Sequence, residues 1–149
     1  MSGKDAILLV EDDEAVGQKC VQVLQATFPN HDIRWEKTFV SGGQATRSTD
    51  IVAAVFDNHL PRSSEERDMR PWAGVLAGHF RREHKNEPLF AFTSENPSES
   101  DCRMLESANA TILVSSDKEQ MIPGLVEQLK QQLQHIPPRT GGEAARGFK

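Results

Sequence analysis

Three consecutive acids, Glu11, Asp12 and Asp13, stand at the end of the apolar run AILLV, and a fourth, Asp57, ends the apolar run IVAAVF. Hydroxyl side chains take matching places after two later apolar runs, Thr93 after LFAF and Ser115 after TILV. If the fold brings these run ends together, the carboxylates repel one another. Near a surface, at an effective dielectric of about 20, each close pair costs up to ~4 kcal/mol before solvent relaxes. A hard divalent cation relieves that repulsion, and Mg2+ characteristically takes one or two carboxylates, a phosphate oxygen and several waters. Acids with hydroxyls beside them therefore point to a magnesium and phosphoryl site. The plainer alternative is a set of solvated acids at strand ends.

The runs that must position these residues read as strands alternating with helices. Ala6 to Val10 and Ile51 to Phe56 are continuous apolar stretches, as expected of strands buried on both faces. Leu89 to Phe92 and Thr111 to Val114 read likewise, and Asp32 to Glu36 is a short alternating strand. Between them, Val16, Cys20, Val23, Leu24 and Phe28 recur at helical spacing until Pro29 and Asn30 end the helix. Val40 to Ser48 is a weaker helix containing Gly42 and Gly43. Ala73 to His84 and Ser98 to Ser107 are two more, and a last helix carries Ile122, Leu125, Leu129 and Leu133, with Pro123 placing its regular start nearby. The order βαβαβαβαβα calls for a doubly wound α/β domain, a parallel sheet with helices on both faces. In such sheets the ligand site lies outside the carboxyl ends of the strands, which is where all the acids and hydroxyls fall. Residues 1–135 are read as this domain and 136–149, with two adjacent prolines and no periodicity, as a disordered tail.

Composition excludes several functions. Twenty-two acidic against seventeen basic side chains give a net charge of −5, which argues against neutralising many nucleic-acid phosphates. The start is too short in apolar residues for a signal peptide or membrane span, so no membrane is expected and the chain reads as cytoplasmic. Cys20 and Cys102 form no metal or redox motif and read as idle thiols. The basic cluster His79, Arg81, Arg82, His84 and Lys85 reads as a solvated face. No hydrolytic triad or phosphate-binding glycine loop is present, so independent turnover catalysis is not expected.

Taken in order, ILLVEDDE, VFDNHLP and FAFTSEN resemble the receiver domain of response regulators over about residues 5 to 134. The resemblance implies a flavodoxin-like (βα)5 fold with a five-stranded parallel sheet. It implies that Asp57 accepts a phosphoryl group, that Glu11, Asp12, Asp57 and the His59 backbone carbonyl hold Mg2+, and that Thr93 hydrogen-bonds a phosphoryl oxygen. Asp13 is an alternative member of the acidic pair. The implied donor is a histidine kinase or phosphotransfer protein. The implied output is contact with a downstream protein or a homodimer, through a face holding Leu113, Met121 and Val126, with no output domain following.

The pattern breaks in three places. Ser115 and Ser116 replace the lysine and proline that close the fifth strand in receivers, and Ser115 supplies one neutral hydrogen bond where the family has a charge. Lys118 lies nearby but reads as a solvated lysine. Ile112 stands where the family carries a switch aromatic, which favours the competing view of a pseudo-receiver that binds partners without phosphorylation. Finally, Arg62 to Arg70 is inserted after Asp57, ahead of Trp72 and Gly74; its mixed charge reads as a mobile loop, with its arginines as candidates to replace the missing charge.

Overall fold

The computed structural model describes residues 4–135; the tail assigned to 136–149 lies outside them. The strands of the main sheet are β1 (Ala6–Val10), β2 (Asp32–Glu36), β3 (Ile51–Phe56), β6 (Leu89–Thr93) and β7 (Thr111–Val114), all parallel in the order β2-β1-β3-β6-β7. The helices are α1 (Glu14–Thr27), α2 (Phe39–Ala45), α3 (Ala73–Glu83), α4 (Glu99–Ser107) and α5 (Lys118–Gln134). This is the doubly wound, flavodoxin-like arrangement expected from the apolar runs.

Side chains alternate across a strand, so each apolar run feeds two cores. From β1, Leu8 and Val10 point to the layer holding Leu76 and Phe80 of α3, while Ile7 and Leu9 point to the layer holding Cys20 and Leu24 of α1 with Leu125 and Leu129 of α5. Cys20 is fully buried there, and burial pushes its thiol up to about 12, which keeps it inert as the sequence indicates. Because the chain leaves β1 for β2 on one side and then returns to β3 on the other, the carboxyl ends of β1 and β3 lie side by side. That switch point holds Glu11 and Asp57.

Four elements depart from the sequence reading. The insert is structured: β4 (His59–Pro61) and β5 (Met69–Pro71) pair as an antiparallel hairpin, with Leu60 fully buried in the core as its anchor. Helix α5 begins at Lys118, upstream of Pro123, because Asp117 caps it by accepting from the Gln120 amide, and Pro123 falls on an exposed position inside the helix. The basic cluster on α3 is a solvated face only in part: Arg82 and Lys85 are exposed, but two of its members turn inward. His84 is buried, stacked on Phe80 and bonded to the Thr46 carbonyl at 2.9 Å, and Arg81 donates to the carbonyls of Ala108, His84 and Glu87. Val126 is buried in the α1–α5 core, and Leu113 and Met121 pack against it, so this residue set does not form an open docking face.

Two helical glycines show how close packing constrains the sequence. The Trp35 ring of β2 lies against the backbone of α1, and a Cβ on Gly17 would meet its Cζ2 at 2.0 Å. A Cβ on Gly78 of α3 would meet nothing within 4 Å. Glycine in a helix interior costs about 0.5–1 kcal/mol relative to alanine, and overpacking costs typically about 1–3 kcal/mol. Urea denaturation is therefore expected to show Gly78→Ala stabilising by about 0.5–1 kcal/mol and Gly17→Ala destabilising by about 1–3 kcal/mol; like signs for the two would refute this account of the Trp35 contact.

Candidate functional site

The backbone fixes the acid-bearing ends before any side chain is placed. Asp57 donates its amide to the Val10 carbonyl at 2.8 Å and Glu11 donates to the Glu36 carbonyl at 3.0 Å. The indole N–H of Trp35 donates to the Glu11 carbonyl at 2.8 Å. Asp13 turns the chain into α1 by accepting from the Val16 amide at 3.0 Å, an N-cap role. Capping engages one oxygen of Asp13, while Asp12, beside it in the cleft lining, caps no helix.

At the centre of the site is a lysine. Lys118 places its Nζ 2.6 Å from Glu11 Oε1 and 3.2 Å from Asp57 Oδ1, with the Phe92 ring beneath it at 4.8 Å. The side chains are 9% (Lys118), 1% (Glu11) and 12% (Asp57) exposed, so this is a buried charge cluster. The expectation of a solvated lysine is overturned. Its physical reason lies in the turn: the Ser115 hydroxyl donates to the Asp117 carbonyl at 2.8 Å and accepts from the Asp117 amide at 3.1 Å. Asp117 then caps α5, which makes Lys118 the first helical residue. Side chains in a helix lean toward its N-terminus, so a lysine at that position reaches back over the strand ends. Ser115 spends its hydroxyl on the turn and does not line the cleft, whereas Ser116 does.

Charge balance follows from this geometry. Burial, and then the Asp57 charge, push the Glu11 carboxyl up to about 8 against the pull of Lys118. Burial raises Asp12 too, with Asp57 and Asp13 adding to it while Arg67 and Lys118 oppose. For Lys118, burial by itself would lower the ammonium, but Asp57 and Glu11 more than offset it and hold its pKa above the ordinary lysine value.

The remaining predicted residues divide. Asp12, Asp57 and His59 line one cleft of about 380 Å3 together with Lys118 and Met69. Opposite His59 in the hairpin stands Pro71, which has no N–H to offer the His59 carbonyl. Glu11 also borders the cleft, but Oε1 is taken by Lys118 and Oε2 by the Asp13 amide at 3.1 Å. Thr93 is fully buried, its hydroxyl donating to the Glu95 carbonyl at 3.1 Å, and its neighbour Ser94 lines the cleft instead.

Among the described residues no three His, Cys, Asp or Glu side chains converge to hold a metal by themselves. That disfavours a zinc-like site, which needs three or four such ligands. It does not disfavour Mg2+, which keeps several waters and needs only one or two carboxylates. Asp12 and Asp57, lining one cleft that carries an excess of negative charge, fit that ion.

No protein-family model and no curated protein matches this sequence. Solved structures do match. A receiver domain of HemR from Leptospira biflexa superposes with a TM-score of 0.69 at 20% identity, covering 92% of this chain and 100% of that one. A CheY-like response regulator receiver domain from Methanospirillum hungatei gives 0.65 at 19% identity, with 89% and 98% covered. The chain has the receiver fold. A phosphorylated cyanobacterial phytochrome response regulator, RcpA, gives 0.67 at 12% identity with 91% and 98% covered. In this fold Glu11, Asp12 and Asp57 stand at the carboxyl ends of β1 and β3, and the lysine beside them arrives from the first turn of α5. A signal was available in the sequence: two acids ending buried strands require a cation, and Ser-Ser-Asp before Lys118 is a helix-start pattern.

A raised acid binds more protons folded than unfolded between its two pKa values, so the Glu11 carboxyl makes stability fall as pH rises from about 4.5 toward 8. Glu11→Gln is expected to flatten that fall relative to the parent chain when urea midpoints are compared at pH 5.5 and 8. Parallel profiles for the two proteins would show that Glu11 ionises without penalty.

Proposed function

We infer that the chain is a phosphoacceptor module of two-component signalling, in which Asp57 receives a phosphoryl group and the product is read by another protein in the cytoplasm. The observation that carries this reading is the Lys118 ammonium bridging Glu11 and Asp57 at the switch point of a receiver fold. A buried lysine beside the acceptor supplies the cation that the missing strand-end lysine had put in question.

The step is an in-line displacement. A carboxylate oxygen of Asp57 forms a bond to phosphorus as the donor's P–N bond (a phosphohistidine) or P–O bond (acetyl phosphate) breaks, and the leaving group departs with the electron pair. Charge then spreads over the phosphoryl oxygens, and catalysis consists of positioning and charge stabilisation. Mg2+ held by Asp12, Asp57 and the His59 carbonyl would supply Lewis-acid stabilisation of that charge. Lys118 stays against Glu11 and pairs with a phosphoryl oxygen in place of the Asp57 charge it holds at rest. Thr93 exchanges the Glu95 carbonyl for a phosphoryl oxygen by rotation about its Cα–Cβ bond. Hydrolysis, with water forming the new P–O bond, returns inorganic phosphate and the free Asp57 carboxylate. The domain has no other turnover chemistry in this reading. That RcpA was solved phosphorylated is support by analogy for a chain of the same fold.

One feature favours the rival reading of a pseudo-receiver: Ile112, packed against the core, replaces a ring that could swing. The other reason for that reading, the absent lysine, is removed by Lys118.

Incubation with acetyl phosphate and Mg2+ is expected to add one phosphoryl group by intact mass. Asp57→Asn abolishes the gain and Lys118→Met slows it by about tenfold or more, as expected for loss of a charge-assisted contact. A chain that stays unmodified and binds no beryllofluoride with Mg2+ present is a pseudo-receiver.

A further inference from the structure

The acidic cleft shares Asp12 and Met69 with a side cavity of about 290 Å3, walled by the β4–β5 hairpin and by Lys37 and Thr38 after β2. Three cations line the two cavities: Lys118, Lys37 and Arg67. Lys118 is committed to Glu11 and Asp57, and Lys37 is committed to Glu14 at 2.7 Å. Arg67 has no ion-pair partner within 4 Å among the described residues, although Arg62 of the same insert pairs with Glu66 at 2.7 Å. Arg67 lines the side cavity together with Asp12.

The hairpin that carries Arg67 is built onto the core. Leu60 is fully buried, the Val40 amide donates to the Arg62 carbonyl at 2.9 Å, and the Trp72 amide donates to the Asn58 carbonyl at 2.9 Å. Trp72 in turn stacks on Phe39 with ring centroids 4.0 Å apart. Arg67 thus lines, with Asp12, the side cavity that adjoins the acidic cleft holding Lys118.

We propose that Arg67 is the outer phosphoryl contact of this site: it screens Asp12 at rest and turns its guanidinium onto a phosphoryl oxygen once Asp57 carries the group. The proposal rests on the phosphoacceptor reading given above. A phosphoryl group on Asp57 brings three charged oxygens into the cleft, and Lys118 at its base pairs with one of them, which leaves the outward oxygens for a second cation. A guanidinium offers a planar fork of donors matched to such oxygens. The same cation repels a divalent ion approaching Asp12, so removing it acts in opposite directions on the two ligands.

The test uses the full chain and calorimetric titration with Mg2+ alone, then with beryllofluoride at saturating Mg2+. Arg67→Ala is expected to bind Mg2+ about two- to fivefold more tightly, the scale of an exposed charge interaction, and beryllofluoride about three- to tenfold more weakly. Arg67→Lys is expected to restore the parent Mg2+ affinity. Arg67 is exposed, so the unfolding midpoint is expected to stay where it is. Unchanged affinities, or shifts of both ligands in one direction, overturn the proposal while leaving Asp57 as acceptor. Failure of the parent chain to bind beryllofluoride overturns the acceptor reading and this contact with it.

Discussion

A single ammonium wedged between two carboxylates that the sheet has drawn out of water is the constraint on which the rest of the molecule turns. Glu11 and Asp57 cannot move apart, because β1 and β3 are adjacent parallel strands whose ends are clamped by backbone bonds. Nor can water screen Glu11, which is almost fully buried. Taking one partner from a buried pair leaves an uncompensated charge, typically at a cost of about 3–5 kcal/mol. The fold therefore needs Lys118 as much as any chemistry does. The capped start of α5, the Ser115 turn and the packing of α5 against α1 are the means by which it is delivered.

The two cores divide the work of holding this cluster. The α1–α5 layer seats the lysine, through Leu125 and Leu129 on the helix that carries it. The α3 layer seats the hairpin, through Leu60 beside Leu76 and Phe80. Trp35 joins the cluster to the edge strand, since one face of its ring occupies the space over Gly17 while its N–H holds the Glu11 carbonyl. The side chains of the cleft consequently sit on elements that are each fixed from behind.

Strand positions were legible in the sequence because burial on both faces leaves an unbroken apolar run, and AILLV and IVAAVF admit little else. The acids were legible because a doubly wound sheet puts its site at the strand ends. Lys118 was not, because family spacing pointed to Ser115, and a lysine at a helix start resembles any surface lysine until the cap is known. The hairpin escaped notice for another reason: its pairing is three residues long, its connecting segment is charged, and a single buried residue, Leu60, holds it. His84 and Arg81 were hidden by helical periodicity, which marks a face as polar but does not reveal carbonyls waiting at the α2 and α4 ends.

Three carboxylates and one ammonium still leave the cleft short of positive charge, and the rise in both Glu11 and Asp12 is the measure of that shortage. Protons can make it up, or a divalent ion can, and each makes the other less needed. An ion entering beside Asp12 has to compete with Lys118 for Asp57, with Arg67 for Asp12, and with the proton that burial favours on Glu11. A site arranged in this way has Lys118 to balance its buried acids without any metal. On the proposed reading, a divalent ion would displace protons and leave the lysine free to follow incoming negative charge. Stability and readiness are thus assigned to different cations, and the deep burial of Lys118 is what keeps the two roles apart.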